Sequence, residues 1–174
     1  ALAKTPGRGK LFTYIEEDLG PQVADALAAA GFTLSATHAG MVRPVTEDDL
    51  AFGDPRIRRI GPEDLLSWCD VRTRGLQHPT TLEVHTIIFQ LEGNRYYALE
   101  EDGEMRSVGM VCIDKDQQNL SLQSIATPPE YRGRGLACAI VSHIAKEAAQ
   151  LGAPLLSLQA SPLGEPVYAR LGYR

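Results

Sequence analysis

The chain has 174 residues, of which 44% are apolar and 22% are charged, so it can bury a core the size of one ordinary domain. Its net charge of −5 argues against nucleic acid or an anionic membrane surface as the main partner, and slightly favours a cationic substrate. Three cysteines, odd in number and without the spacing of a zinc site, predict thiols in a reducing cytoplasm and no metal. No apolar run reaches the roughly 18 residues of a membrane span.

The first 44 residues are predicted to form a strand, a helix and a second strand. Residues 11–15 alternate and are rich in β-formers. A helix is expected from Gly20 up to Gly31, which stands where a C-terminal cap belongs. Residues 32–37 are expected to be extended. Residues 1–44 are therefore interpreted as a β-α-β appendage.

Residues 45–55 hold Pro, Asp, Glu and Gly and are interpreted as a linker to the main domain, residues 56–174. Helical and strand periods in that domain predict the order β-α-α-β-β-β-α-β-α. The predicted elements are residues 56–60, 62–76, 79–91, 95–100, 107–114, 120–127, 135–151, 154–159 and 166–171. This order is typical of an α/β or α+β fold, with a mixed sheet and helices on its faces.

The stretch most typical of a functional site is residues 128–137, PPEYRGRGLA, between a predicted strand and a long helix. Two prolines end the strand, and Gly133 and Gly135 allow the backbone to turn its N–H groups toward one concavity. The helix adds unpaired N–H groups and a positive dipole end, and Arg132 and Arg134 add positive charge. Together these features predict a cradle for a pyrophosphate group.

Other interpretations of this stretch fit less well. A Walker loop would need Gly-Lys-Ser or Gly-Lys-Thr, and a dinucleotide-binding loop would need glycine where Cys138 stands. An RGG-type RNA-binding segment would be longer and repeated. The remaining alternative is a simple strand-to-helix turn with solvated arginines.

The pattern Arg132-x-x-Gly135-x-Ala137 resembles the Arg/Gln-x-x-Gly-x-Gly/Ala signature of the GNAT superfamily, the acetyl-CoA-dependent N-acetyltransferases. A second block, residues 161–173, looks like the segment that closes this fold, with Tyr168 at the tyrosine position. The resemblance covers about residues 56–174. It implies a mixed, mostly antiparallel central sheet flanked by helices, and it implies that the two usual final strands are missing from this chain.

The resemblance also implies a binding site for acetyl-CoA as co-substrate. The strand over residues 120–127 would splay from the strand over residues 154–159, and the pantetheine arm would lie in the gap. The main chain of one strand would contact that arm through Ile125, Ala126 and Thr127. The backbone N–H groups of the loop would hold the pyrophosphate, through Arg132, Gly133, Arg134, Gly135, Leu136 and Ala137.

In this family a neutral amine attacks the thioester directly, without an acyl-enzyme. The resemblance gives Tyr168 the role of general acid to the leaving thiolate, since a phenol stays protonated at neutral pH; the alternative is a tyrosine that only packs in the core. The strand before the signature often supplies a carboxylate base, but residues 120–127 contain none. Water, Glu83 or His85 could accept the proton, although either side chain could equally lie on a solvated helical face.

The helix-Gly-aromatic pattern at residues 27–32 echoes residues 167–173. One hypothesis is that residues 1–44 are a degenerate GNAT-like remnant, which packs against the catalytic half or fills the edge of its unfinished sheet. The alternative is an unrelated appendage.

The predicted function is transfer of the acetyl group of acetyl-CoA to a primary amine of a small molecule or amino-acid-like acceptor. The alternative is a non-catalytic acyl-CoA-binding or regulatory module on the same fold. The expected partner is a small-molecule amine, with no nucleic acid and no membrane, for a cytoplasmic monomer or homodimer. The sequence leaves open which amine is the acceptor and which group is the base.

Overall fold

A computed structural model of the chain describes residues 20–33 and 38–174, and the chain divides into two compact units, Ala1–Thr37 and His38–Arg174. In the first unit, helix α1 spans Gly20–Ala29 as the sequence predicts. The N–H of Phe32 donates to the carbonyl of Leu27 (3.0 Å) across Gly31, whose φ of +87° favours glycine. The strand predicted at residues 11–15 and most of the extended run predicted at 32–37 lie outside the described residues.

The second unit contains one six-stranded sheet in the order β1-β6-β5-β4-β3-β2, with β5 and β6 parallel and every other neighbouring pair antiparallel. Its strands are β1 Ala39–Pro44, β2 Ile57–Arg59, β3 Asn94–Glu101, β4 Glu104–Ile113, β5 Asn119–Ala126 and β6 Leu155–Ala160. Its α-helices are α2 Leu65–Leu76, α3 Leu82–Gln90, α4 Leu136–Leu151 and α5 Glu165–Arg170. This confirms the predicted mixed, mostly antiparallel sheet and the element order from residue 56 onward.

The sheet begins earlier in the chain than the sequence analysis placed it. Residues 39–44, assigned there to the appendage, form β1 and pair antiparallel with β6 from Ala39↔Ala160 to Pro44↔Leu155. The linker predicted over residues 45–55 holds a 3-10 helix, Glu47–Ala51, capped by the carboxylate of Asp49. Backbone hydrogen bonds thus join residues 39–44 to the sheet, at its edge beside β6, where one version of the hypothesis for residues 1–44 expected them.

Helix α3 also differs from its predicted span, since it begins at Leu82 and not at Pro79. Thr81 is its N-cap: the Thr81 hydroxyl accepts a hydrogen bond from the N–H of Val84 (3.4 Å). Among the described residues no helix is long and apolar enough to cross a membrane.

The sheet separates two helical layers, because alternate residues of each strand point to opposite faces. On β3, Tyr97 and Leu99 belong to the core cluster that α4 closes, and α5 packs against that cluster. Tyr96 and Ala98 belong to the second cluster, formed with α2. We call these the α4 face and the α2/α3 face.

Strands β5 and β6 separate part of the way along their length. Their pairing runs from Asn119↔Leu155 to Leu122↔Leu158 and then stops. Residues 123–126 of β5 and 159–160 of β6 continue without pairing to each other, and we call the opening between them the β5–β6 gap. The divergence coincides with a register shift against β4 and with Ser124, whose φ of +53° marks a bulge. The resemblance predicted this separation.

Candidate active site

The loop that connects β5 to α4 exposes a run of backbone donors. Gly133 and Gly135 have φ values of +75° and +77°, and a Cβ at either position would meet no atom within 4 Å, so backbone conformation and not crowding favours glycine. Within the described residues, the N–H groups of residues 133–138 have no hydrogen-bond acceptor; the first bonded one is that of Ala139, to the carbonyl of Gly135 (3.0 Å). Successive free donors at a helix N-terminus form an anion site.

The two arginines of the loop, Arg132 and Arg134, make different contacts. The Arg132 guanidinium donates to the carbonyls of Thr127 (3.1 Å) and Gly75 (2.8 Å), and its own N–H donates to Pro129 (3.3 Å). Arg132 therefore ties the loop to β5 and α2, and its N–H does not belong to the free donors predicted for residues 132–137. Arg134 is exposed and forms an ion pair with Glu101 (2.6 Å), which partly balances its charge. Among the described residues Arg132 has no carboxylate partner, so its guanidinium also contributes positive charge beside the loop.

The N–H of Cys138 is a donor that the sequence analysis did not include. The rule that the first N–H groups of any helix lack partners would have identified it. Leu136 is buried and anchors the first turn of α4 in the core, which leaves its N–H on the loop side.

The end of β5 is fixed by side chains from neighbouring elements. Ser107 Oγ donates to the carbonyl of Ala126 (3.1 Å) and shares a hydrogen bond with Thr127 Oγ1 (2.8 Å). Gly75 of α2 approaches so closely that a Cβ there would lie 2.9 Å from both the Ala126 Cβ and the Thr127 nitrogen. Ile125 is half-buried on the α4 face. The edge of the gap is therefore held in place by contacts from both faces.

Tyr168 lies on the α4 face of the sheet. It lies on α5, packs against the core cluster, and its ring centroid is 6.0 Å from that of Tyr173. Burial, with a smaller effect from the neighbouring Cys138, raises the pKa of Tyr168 to about 12. Cys138 stands in the first turn of α4, so Tyr168 lies next to the start of the helix that carries the loop. The Tyr168 phenol keeps its proton at physiological pH.

The two base candidates on α3 occupy different environments. Glu83 is exposed in the first turn of the helix. His85 is only 4% exposed; its Nδ1 is 3.0 Å from the Tyr96 hydroxyl, and its ring packs edge-on against Trp68. Burial, with the charge of Arg72 as a smaller cause, lowers the pKa of His85 to about 4. The imidazole is therefore neutral at pH 7 but is a weak acceptor for an ammonium proton.

Arg72 is a site residue that the sequence analysis missed. It lies on α2, half-buried, where its Nε donates to Ser124 Oγ (3.2 Å) at the bulge of β5 and its Nη1 donates to the carbonyl of His78 (3.2 Å). Burial lowers its pKa from the ordinary value of 12.5. In the sequence it stands beside Arg74, an exposed residue of the same type, and no local signal separates the two.

The residues present fit acetyl-CoA. The free N–H groups of residues 133–138 and the space in front of both loop glycines suit a pyrophosphate, and the β5–β6 gap offers an unpaired strand edge to a linear arm. No group of three or more His, Cys, Asp or Glu side chains in the described part of the chain could hold a metal ion.

Comparison with known proteins identifies the family of the chain. Residues 63–173, more than half of the chain, match the Acetyltransferase (GNAT) family. No curated protein matches the chain.

Solved structures of GNAT proteins have the same fold. A putative GNAT acetyltransferase from Novosphingobium aromaticivorans is 21% identical, with a TM-score of 0.61 over 78% of this chain and 57% of that one. The Escherichia coli ribosomal-protein-S18-alanine N-acetyltransferase is 23% identical, with a TM-score of 0.60 over 67% and 75%. A predicted acetyltransferase from Clostridium acetobutylicum, solved with acetyl-CoA, is 18% identical, with a TM-score of 0.58 over 68% and 88%.

The present chain thus spans little more than half the length of the Novosphingobium protein. At these identities the structural likeness shows the fold alone, and membership of a family rests on the family match. The family match over residues 63–173 covers more than half of the chain and includes the loop and Tyr168, so the chain belongs to the GNAT family of acetyltransferases.

Proposed function

We propose that this protein is an N-acetyltransferase that transfers the acetyl group of acetyl-CoA directly to a primary amine of a small or amino-acid-like acceptor. The observation that carries the proposal is the joint presence of free N–H donors over residues 133–138 and the β5–β6 gap that leads away from them. Family membership favours this enzyme over a non-catalytic acyl-CoA-binding module.

The loop and the gap would set the position of the co-substrate. The N–H groups of residues 133–138 would hold the pyrophosphate, and Arg134 would add charge at its edge. Strand residues rise about 3.3 Å each, so Ser124 lies about 10 Å before Thr127 along β5, toward the closed end of the gap. An arm that runs along β5 from the loop therefore brings its acyl end to the bulge. Acetyl-CoA supplies a thioester whose carbonyl carbon is open to attack by an amine.

The side chains around the gap would then handle protons. Tyr168 would donate a proton or a strong hydrogen bond to the departing thiolate, which its raised pKa permits. Strand β5 offers no carboxylate, and His85 with a pKa of about 4 is a weak base. We infer that the acceptor reacts from its neutral fraction, with water or Glu83 taking up the proton, and that positioning supplies most of the rate.

Calorimetric titration with acetyl-CoA, with free CoA and ATP as controls, tests the binding half of this proposal. We expect a Kd in the micromolar range for acetyl-CoA that ATP does not match. Thiol release from acetyl-CoA with a panel of primary amines, and mass spectrometry of the products, test the transfer half. Absence of acetyl-CoA binding, or binding without transfer to any amine, would reject the corresponding half.

A further inference from the structure

We propose that Arg72 binds an anionic group of the acceptor, so that the preferred acceptors are primary amines that also carry a carboxylate or a phosphate. This inference rests on the proposed function and narrows its substrate class. The observation behind it is a half-buried guanidinium, at the bulge of β5, that has no carboxylate partner.

The hydrogen bonds of Arg72 leave donors unused. A guanidinium has five N–H groups. One is bonded to Ser124 Oγ and one to the carbonyl of His78, both at 3.2 Å. Within the described residues the other three, including both on Nη2, have no acceptor. A planar group that is anchored at one edge and free at another is ready to bind a carboxylate or phosphate.

The charge of Arg72 is also uncompensated. No described carboxylate forms an ion pair with it, and the titratable groups that sense its charge are Cys69, Tyr96 and His85. Burial raises the pKa values of the Cys69 thiol and the Tyr96 phenol, and lowers that of the His85 imidazole, so all three are neutral at pH 7. A cation that is partly removed from water among neutral neighbours favours binding of an anion.

Arg74 shows the contrast on the same helix. Its side chain is 43% exposed and pairs with both Asp70 and Glu130. Of these two arginines of α2, the one without a carboxylate partner is therefore Arg72, at the bulge, where the acyl end of acetyl-CoA is expected. The net negative charge of the chain slightly favoured a cationic substrate, but the local charge at the bulge, from Arg72, favours an anionic group.

The location of Arg72 fits an acceptor site. Arg72 reaches Ser124 from the α2/α3 face, whereas Tyr168 packs on the α4 face. An amine whose anionic group binds Arg72 would meet the closed end of the gap from the side opposite to Tyr168. Attack on one side of the carbonyl and protonation of the thiolate from the other would then not compete for space.

Matched pairs of acceptors test this proposal. Amino acids are compared with their carboxamides, and phosphorylated amines such as phosphoethanolamine and glucosamine 6-phosphate with the unphosphorylated amines. We expect kcat/KM, calculated from the concentration of neutral amine in each acceptor, to be at least 10-fold higher for the charged member of one of these series, and that series identifies the anion. If uncharged members are used equally well or better, or no charged member is used although acetyl-CoA binds, the proposal is overturned while acetyl-CoA binding stands.

Variants separate binding of an anion from a structural role. Arg72→Gln should remove the preference: KM for charged acceptors should rise at least about 10-fold more than KM for uncharged acceptors. Arg72→Lys should restore part of the preference, since it keeps the charge, and Arg74→Gln is the matched control on the same helix. An equal loss for charged and uncharged acceptors would overturn the proposal, because that result is expected if Arg72 only holds the bulge or polarises the thioester.

Discussion

The two faces that meet at the β5–β6 gap are constructed in different ways. On the α4 face, the donors that fit the co-substrate are backbone N–H groups of one continuous loop, residues 133–138. On the α2/α3 face, the groups around the bulge are side chains of separate segments: Arg72 of α2, His85 of α3, Tyr96 of β3 and Ser124 of β5. Under the proposed function, the pyrophosphate of acetyl-CoA would contact main-chain groups, whereas the acceptor would contact side chains.

The largest expected effect comes from disturbing the backbone site. Gly135→Glu places negative charge beside the pyrophosphate and forces a side chain onto a φ of +77°. We expect the Kd for acetyl-CoA to rise at least about 100-fold, since repulsion replaces charge-assisted hydrogen bonds. Calorimetric titration measures this change.

Gly152→Glu is the matched control at the other end of α4. It carries a similar strain, with a φ of +72° and no atom within 4 Å of its Cβ position, but it lies far from the loop. Both variants should lose stability, and only Gly135→Glu should lose binding. Equal affinity of the two variants for acetyl-CoA would show that the loop does not hold the co-substrate.

A smaller effect is expected on turnover alone. Tyr168→Phe should lower kcat by about 10- to 100-fold while the Kd for acetyl-CoA stays within about 2-fold, because the hydroxyl acts on the leaving thiolate and not in binding. Burial raises the pKa of Tyr168 to about 12, so the phenol keeps its proton. Ionisation of Tyr168 should therefore cause no loss of activity up to pH 10.

Steady-state kinetics with single-turnover measurements would resolve the chemical step, and Tyr173→Phe is the control from the neighbouring ring, 6.0 Å away. If Tyr168→Phe retains full kcat, Tyr168 is a packing residue and the α4 face contributes only binding.

The smallest expected effect concerns the pH dependence of stability on the α2/α3 face. Burial lowers the pKa of His85 from 6.5 to about 4, so the unfolded chain takes up the proton first as the pH falls. The stability linked to neutral His85 is therefore complete above pH 6.5 and lost between pH 6.5 and 4. We expect the unfolding free energy to fall by about 2 kcal/mol from pH 7 to pH 5 because of His85.

Urea unfolding at both pH values, for wild type and His85→Asn, measures this difference. From pH 7 to pH 5 the unfolding free energy of the variant should fall by about 2 kcal/mol less than that of wild type. His38→Asn replaces an exposed histidine and controls for the loss of a histidine as such. Identical pH dependence of wild type and His85→Asn would mean that His85 takes up a proton easily in the folded protein, which would reopen its candidacy as a base.

Features that depend on local order could be predicted from the amino-acid sequence. Two prolines followed by Gly133 and Gly135 predicted a loop that presents backbone N–H groups at the start of a helix, and the alternation of elements predicted the sheet and its two layers. These features follow from φ preferences, helix termini and periodicity, all of which act within a few residues.

Other features depend on contacts between segments that are distant in the chain. Residues 39–44 belong to the sheet because they pair with β6. Arg72 contacts Ser124, more than 50 positions away, whereas Arg74 pairs with Asp70 and Glu130. The weak basicity of His85 depends on burial against Trp68 and Tyr96, and the position of the Arg132 guanidinium depends on its hydrogen bond to Gly75 of α2. Solvation and the charge of distant neighbours set these properties, and they exist only once the chain has folded.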